Sequence, residues 1–326
     1  MKIIVTGCAG FIGFHTCLKL LRKNNYKIYG IDNLDNYYSQ KLKKDRLEIL
    51  LKNKKFKFYK ININNFNKLK DNFLYNQYDY VIHLAAQPGV RYSLDYPRKY
   101  IQNNLLGFYN IIELSNKIKV KHFVYASSSS VYGESKNSEN KENDNSDKPL
   151  SIYSATKKSN EIISYAFSNI YNLKTTGLRL FTVYGTYYRP DMFLSLLADA
   201  IKNNKIINVY NHGNYLRDFT YVEDVTYCIS KIIMIKKFPR IPAYIFNIGN
   251  SRSVELNKII SFFENYYSKK AIKKYKKNQV VEVSRTKSKM TNLRKIIKIK
   301  QFTKINHGLI KFLKWHDEYY KVNTNK

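Results

Sequence analysis

An apolar, strand-like run at Lys2–Thr6 leads without a break into Gly7-Cys8-Ala9-Gly10-Phe11-Ile12-Gly13. That turn opens a segment in which Phe14, Leu18 and Leu21 recur at helical spacing. Few folds accept this order. The three glycines allow a tight turn, close approach of the backbone to a ligand, and close packing of the helix on the strand. The helix N-terminus then presents unpaired N–H groups and a positive dipole end to an anion. Asp32 closes the next strand-like run 19 residues after Gly13. A carboxylate there meets the hydroxyls of an adenosine ribose and repels a 2′-phosphate, so the pattern predicts a dinucleotide site for NAD rather than NADP.

Alternation continues beyond this unit. Strands are predicted at Lys27–Ile31, Lys55–Lys60, Tyr80–Leu84, His122–Ala126 and Thr176–Leu180, with helical stretches between them. Such a rhythm specifies an α/β fold, a Rossmann-type doubly wound parallel sheet whose strand C-termini share one ligand edge. After Phe181 the rhythm loosens. Helices near Met192–Asn203, Glu223–Lys236, Glu255–Tyr266 and His307–Tyr320 predict a smaller α/β C-terminal substrate lobe. The expected division is 1–181 and 182–326, with a late strand near 243–247 returning toward the sheet. Glu134–Lys148 reads as a mobile polar loop and Lys269–Lys277 as a solvated charged segment.

Composition narrows the function. The 326 residues are 44% hydrophobic, enough for a sizeable core, which excludes a disordered or fibrous chain. The three cysteines, Cys8, Cys17 and Cys228, lack metal-like spacing, so no metal site is expected. They fit a reducing, cytoplasmic setting. No apolar run approaches the ~20 residues of a membrane span, and no signal peptide is expected. A net charge of +33 invites a nucleic-acid reading, and residues 258–326 carry 19 Lys and Arg against 4 acids. Lys, Asn, Ile and Tyr are abundant throughout, however, and no nucleic-acid motif accompanies the charge. A polymer partner is therefore not expected, whereas a basic surface attracts a small anionic substrate.

Tyr153-Ser154-Ala155-Thr156-Lys157 sets a phenol and an ammonium on one helix face. With 30 tyrosines in the chain, about four such spacings arise by chance. Position singles out Tyr153, because it opens a helix after the strand ending Ala126-Ser127-Ser128-Ser129-Ser130-Val131-Tyr132-Gly133. A phenol of ordinary pKa ~10 is a poor base at neutral pH. A neighbouring ammonium and an oxidised nicotinamide lower that value. The set then suits removal of a proton from an alcohol while hydride leaves the same carbon.

The sequence resembles the extended short-chain dehydrogenases/reductases, and within them the nucleotide-sugar epimerases, most closely UDP-glucuronate 4-epimerases. The likeness runs from Ile3 to about Tyr320 through TGCAGFIG (6–13), VIHLAAQPGVRYSLDYP (81–97), VYASSSSVYG (124–133), YSATKK (153–158), GLRLFTVYGTYYRPDM (177–192) and VYNHGNYLRDFTYVEDV (209–225). It implies Ser128, Tyr153 and Lys157 as the catalytic set. Around NAD it implies Gly7, Gly10, Phe11, Ile12, Gly13, Asp32, Asn33, Asn62, Ile63, Leu84, Ala85, Ala86 and Gln87, with Tyr153 and Lys157 also touching the cofactor. For the UDP-sugar it implies Arg217 on the diphosphate, Val209 and Tyr210 near the uracil, and Glu282. The sugar carboxylate calls for a cation or hydrogen-bond donors. Arg189 is the preferred partner and Arg91 the second, with Ser129, Ser130 and Thr182 as neutral donors. A homodimer is expected by resemblance, through helices near Pro97–Lys117 and Tyr153–Tyr171.

Departures from the family pattern are few. Asn62 replaces an Asp, Thr186-Tyr187-Tyr188 replaces Pro-Trp-Gly, and Gln279-Val280-Val281-Glu282-Val283 and Ser288-Lys289 alter the C-terminal motifs. A 4,6-dehydratase would need an Asp-Glu pair where Ser129-Ser130 stand. The alternatives are a 4-epimerase of UDP-glucose or UDP-N-acetylglucosamine, a uronate decarboxylase that fits Gln87–Arg91 less well, or a non-catalytic NAD- or RNA-binding homologue.

Overall fold

The computed structural model of the chain describes residues 1–134, 137–278, 281–299 and 301–324. Seven parallel strands form the central sheet: β1 (Lys2–Thr6), β2 (Lys27–Asp32), β3 (Phe56–Lys60), β4 (Tyr80–His83), β5 (His122–Ser128), β6 (Thr175–Leu180) and β10 (Ala243–Ile248). Their order is β10-β6-β5-β4-β1-β2-β3. The sheet reverses direction of growth between β1 and β4, and a ligand crevice opens at that switch point. Ile3, Val5, Ile28, Ile82 and Val124 fill one face of the sheet and Ile4, Ile31, Val81 and Phe123 the other. Burial on both faces is why these strands read as continuous apolar runs.

Helices α1 (Phe11–Leu21), α2 (Gln40–Leu51), α3 (Phe66–Phe73) and α6 (Gly107–Lys117) flank the sheet with α7 (Ile152–Tyr171). Short turns α4 (Tyr92–Asp95) and α5 (Pro97–Tyr100) lead into a π-helical stretch, Ile101–Leu106, ahead of α6. The start of α7 is fixed by Ser151, whose Oγ accepts from the Ser154 amide at 3.1 Å, a serine N-cap that sets Tyr153 in the first turn.

The second lobe adds β7 (Thr182–Tyr184), β9 (Leu216–Tyr221) and β11 (Ser253–Glu255) as a three-stranded sheet, and β8 (Ile206–Tyr210) with β12 (Ile272–Lys276) as a pair. Helices α8 (Phe193–Lys202), α9 (Val222–Ile232), α10 (Leu256–Tyr267), α11 (Thr291–Ile296) and α12 (Ile305–Thr324) pack around them. The division at 181/182 does not separate the sheet, because β10 pairs with β6 from Ala243–Thr175 to Ile248–Leu180.

Two sequence readings are corrected here. Most of Lys269–Lys277 is not free in solvent but forms β12, parallel to β8, its lysines lying on an exposed edge. Within Glu134–Lys148, Asn140 is buried and exchanges backbone hydrogen bonds with Lys287 and Lys289 at 2.7 and 2.9 Å. Glu142 accepts from the Asn247 amide at 3.0 Å, so this stretch is pinned rather than loose. Ser135 and Lys136 of that stretch, and Gln279 and Val280 of the altered C-terminal motif, lie outside the described residues.

Candidate active site

A cleft of about 910 Å³ runs along the C-terminal edge of the sheet between the two lobes. Gly7, with φ of +70°, turns the chain from β1 into α1; a Cβ on Gly13 would lie 1.9 Å from the Gly7 carbonyl oxygen. Turn and helix thus pack backbone to backbone, as only glycine permits. Helix α1 has no side-chain cap, and Gly10, Phe11, Ile12 and Gly13 at its mouth line the cleft. An uncapped helix start in a cleft suits a diphosphate.

Asp32 is buried at the end of β2, accepting hydrogen bonds from the amides of Leu34 (2.8 Å) and Ala9 (3.1 Å). Burial pushes its carboxyl above the ordinary value, while those amides and the nearby Lys43 and Arg46 charges oppose the shift. Asn33, Ile63, Leu84, Ala85, Ala86 and Gln87 also line the cleft, a mixed polar and apolar wall that fits the dinucleotide. Asn62 sits between the lining residues Ile61 and Ile63 at the rim. The residue is exposed, and its Oδ1 accepts from the Asn64 amide at 3.0 Å, closing a local turn. Lys43 lines the cleft beside Asp32 and was not singled out from the sequence.

Ser128, Tyr153 and Lys157 meet where β5 ends and α7 begins. Lys157 is buried and donates to the Ala126 carbonyl at 2.8 Å, and burial lowers its pKa to about 8. The Tyr153 phenol lies beside Ser128, and Tyr100 packs edge-on against it at 6.1 Å. Burial holds the phenol above its usual value; the Ser128 contact and the Arg189 charge pull it back. Arg189 thus adds a second cation to Lys157, the one named from the sequence. Ser130 donates to Ser128 Oγ from its amide (3.2 Å) and its hydroxyl (2.9 Å). This leaves the Ser128 proton to point at the phenol oxygen, where it favours phenolate. Ser130 lines the cleft as expected, with its hydroxyl proton committed to Ser128 rather than free for a substrate.

The remaining residues expected around the sugar and nucleotide, Ser129, Thr182, Val209, Tyr210, Arg91, Arg189, Arg217 and Glu282, all line the same cleft. Glu282 bridges two arginines: Arg91 (Nε 2.6 Å, Nη2 2.5 Å) and Arg217 (Nη2 3.4 Å). Arg91 stacks over Tyr210 and Arg217 over Tyr215, with guanidinium carbons 4.1 and 4.4 Å from the ring centres. Next to Arg217, buried Asp218 is fixed by the Ser288 amide and hydroxyl at 2.9 and 2.7 Å, so the altered Ser288 position supports this strand. Two guanidinium groups sharing one carboxylate leave a net positive charge for an anionic ligand. Arg189 is itself held by Asp191, a neighbour missed in the sequence although it lies in the same short motif.

A protein-family profile described as "NAD dependent epimerase/dehydratase family" matches residues 3–249. Protein CapI of Staphylococcus aureus is 43% identical, over 98% of this chain and all of its own length. A probable UDP-glucuronate 4-epimerase of Rhizobium meliloti is 33% identical over 98% of each chain. The crystal structure of UDP-glucuronic acid 4-epimerase from Bacillus cereus, in complex with UDP-glucuronic acid and NAD, superposes with a TM-score of 0.91 at 32% identity. That match covers 98% of this chain and 100% of the other. UDP-glucose 4-epimerase from Thermotoga maritima gives a TM-score of 0.87 at 26% identity, again over 98% and 100%.

Proposed function

The chain belongs to the NAD-dependent epimerase/dehydratase family, and from that premise we propose that it inverts C4 of UDP-glucuronate to give UDP-galacturonate. The observation that carries this reading is the junction of Ser128, Tyr153 and Lys157 in the wall of one cleft, which the glycine-rich turn and Arg91, Arg189 and Arg217 also line. Bound NAD supplies a reversible hydride acceptor for C4. Tyr153, as phenolate, takes the 4-hydroxyl proton and returns it to the same oxygen after the sugar has turned. Ser128 donates to the phenolate and to the substrate oxygen in turn. Lys157 keeps a positive charge behind the pair. Arg217 and Arg91 hold the diphosphate while the 4-keto sugar rotates about its link to it. Binding energy from the nucleotide thus restrains the intermediate and supports turnover as well as affinity. Thr182, Ser129 and Arg189 face the sugar carboxylate.

Incubation with UDP-glucuronate, UDP-glucose and UDP-N-acetylglucosamine, with the products separated, tests this reading. UDP-galacturonate as the main product is the expected result, and no product from any sugar contradicts it.

The working unit is a homodimer on this reading. Ile101 and Leu106 on the π-helical stretch, Tyr109 on α6, and Ile162 and Tyr165 on α7 are exposed on adjacent packed helices. That apolar face suits a second copy of the same chain. Among the described residues no helix is long and apolar enough to cross a membrane, and Cys8, Cys17 and Cys228 are free and buried. The free, buried cysteines support a cytoplasmic setting.

A further inference from the structure

Arg46 on α2 is 0% exposed, yet no ion pair involves it among the described residues. Its donors go instead to three neutral acceptors on three separate segments. Nη1 donates to the Ala9 carbonyl of the glycine-rich turn (2.9 Å) and to the Tyr38 hydroxyl of the β2–α2 loop (2.7 Å). Nη2 donates to the Tyr187 carbonyl at 2.6 Å, 141 residues away in sequence. Nε is buried without a partner. Asp32 acts on Arg46 only from beyond ion-pair distance, and a buried cation with no carboxylate in contact is costly, so a simple space-filling role accounts poorly for an arginine here.

The third acceptor explains the geometry. Tyr187 has φ of +52°, a left-handed conformation that a bulky residue adopts only when its surroundings enforce it. Three contacts do so. Arg46 holds its carbonyl, the His15 ring donates to the preceding Thr186 carbonyl at 2.8 Å, and the Tyr187 ring packs between Phe14 and Trp315. The turn at Tyr187 buries Tyr188 and brings Arg189 into the cleft wall, over the Tyr37 and Tyr38 rings. A planar guanidinium spans the two carbonyls; the single ammonium of a lysine does not reproduce that fork.

We propose that Arg46 is a positioning residue that fastens the loop 185–192 to the glycine-rich turn, so that a dinucleotide held at the turn steadies the loop presenting Arg189. The link to turnover rests on the UDP-sugar reading above; the mechanical link does not.

Hydrogen exchange of the full-length protein tests it, without any sugar and with and without NAD. In the parent protein NAD slows exchange at amides in both 8–12 and 186–192. In Arg46→Lys the 186–192 amides exchange at least 10-fold faster, and NAD protects 8–12 alone. Retained NAD protection of 186–192 in the variant overturns the proposal, as does a uniform rise in exchange across the central sheet. Should the variant not fold, the parent still decides: NAD that protects 8–12 and leaves 186–192 unchanged overturns it. Exchange is read without substrate, so this failure is distinct from a failure to epimerise a UDP-sugar.

Discussion

Arg189 grips Asp191 by two parallel contacts in the cleft wall, Nε to Oδ1 at 3.0 Å and Nη2 to Oδ2 at 2.5 Å. A substrate carboxylate therefore meets a guanidinium that already has one carboxylate partner. Hydrogen bonds to charged groups are worth about 1.5–3 kcal/mol. Arg189→Ala is accordingly expected to lower kcat/KM for UDP-glucuronate about 10-fold or more beyond its effect on UDP-glucose. Parallel assays on the two sugars check this, and equal losses would remove Arg189 from carboxylate recognition.

Proton transfer gives a second expectation. Ser128 and Arg189 draw the Tyr153 phenol down against the effect of burial, while Lys157 holds its proton only below about 8. In the NAD-loaded protein the cofactor's positive charge draws the phenol further down, and rate is expected to rise with pH as the phenol ionises. Ser128→Ala removes a donor to phenolate, so the phenol pKa goes up and the rising limb moves to higher pH. A kcat profile of the NAD-loaded variant reads the displacement; movement to lower pH would contradict the assigned role.

Cofactor choice depends on Asp32. Its carboxylate stands in the cleft with Lys43 beside it. Asp32→Ala removes the ribose acceptor and the repulsion of a 2′-phosphate together, leaving the Lys43 cation. Thermal shift of the parent is expected to show stabilisation by NAD and little by NADP. In the variant the difference narrows, chiefly through loss of the NAD effect. Equal stabilisation of the parent by both dinucleotides would take Asp32 out of this role.

The two arginines on Glu282 should differ in weight. The Arg217 side chain is 15% exposed and that of Arg91 46%. Exposed pairs contribute little and desolvated ones more. Titration with UDP is expected to show about a 10-fold or greater loss of affinity for Arg217→Ala and a smaller one for Arg91→Ala. Both losses should shrink as salt rises. A larger loss at Arg91 would place the diphosphate elsewhere.

What the sequence revealed, and what it withheld, follows from the range of the interactions. The glycine turn, Asp32 and the Ser128–Tyr153–Lys157 set were legible because parallel strands buried on both faces read as Ile- and Val-rich runs, and every strand end meets one edge. Strand β12 was hidden by its lysines, which suit an exposed sheet edge as well as a solvated loop. Asn140 looked like loop because its partners, Lys287 and Lys289, lie almost 150 residues away. Arg46 and Lys43 were not singled out, since their contacts form only after separate segments converge. Asn62 was assigned to the cofactor by resemblance, and its side chain also closes a local turn.

One isotope experiment reaches the centre of the account. UDP-glucuronate carrying deuterium at C4 is incubated with the NAD-loaded protein in ordinary water, and the UDP-galacturonate formed is analysed by mass and NMR. If hydride leaves C4 and returns to the same carbon while Tyr153 handles only the hydroxyl proton, the product keeps its deuterium at C4. Tyr153→Phe should bind NAD normally and form this product at least 100-fold more slowly. Product with hydrogen from solvent at C4, or a Tyr153→Phe protein as active as the parent, would contradict it.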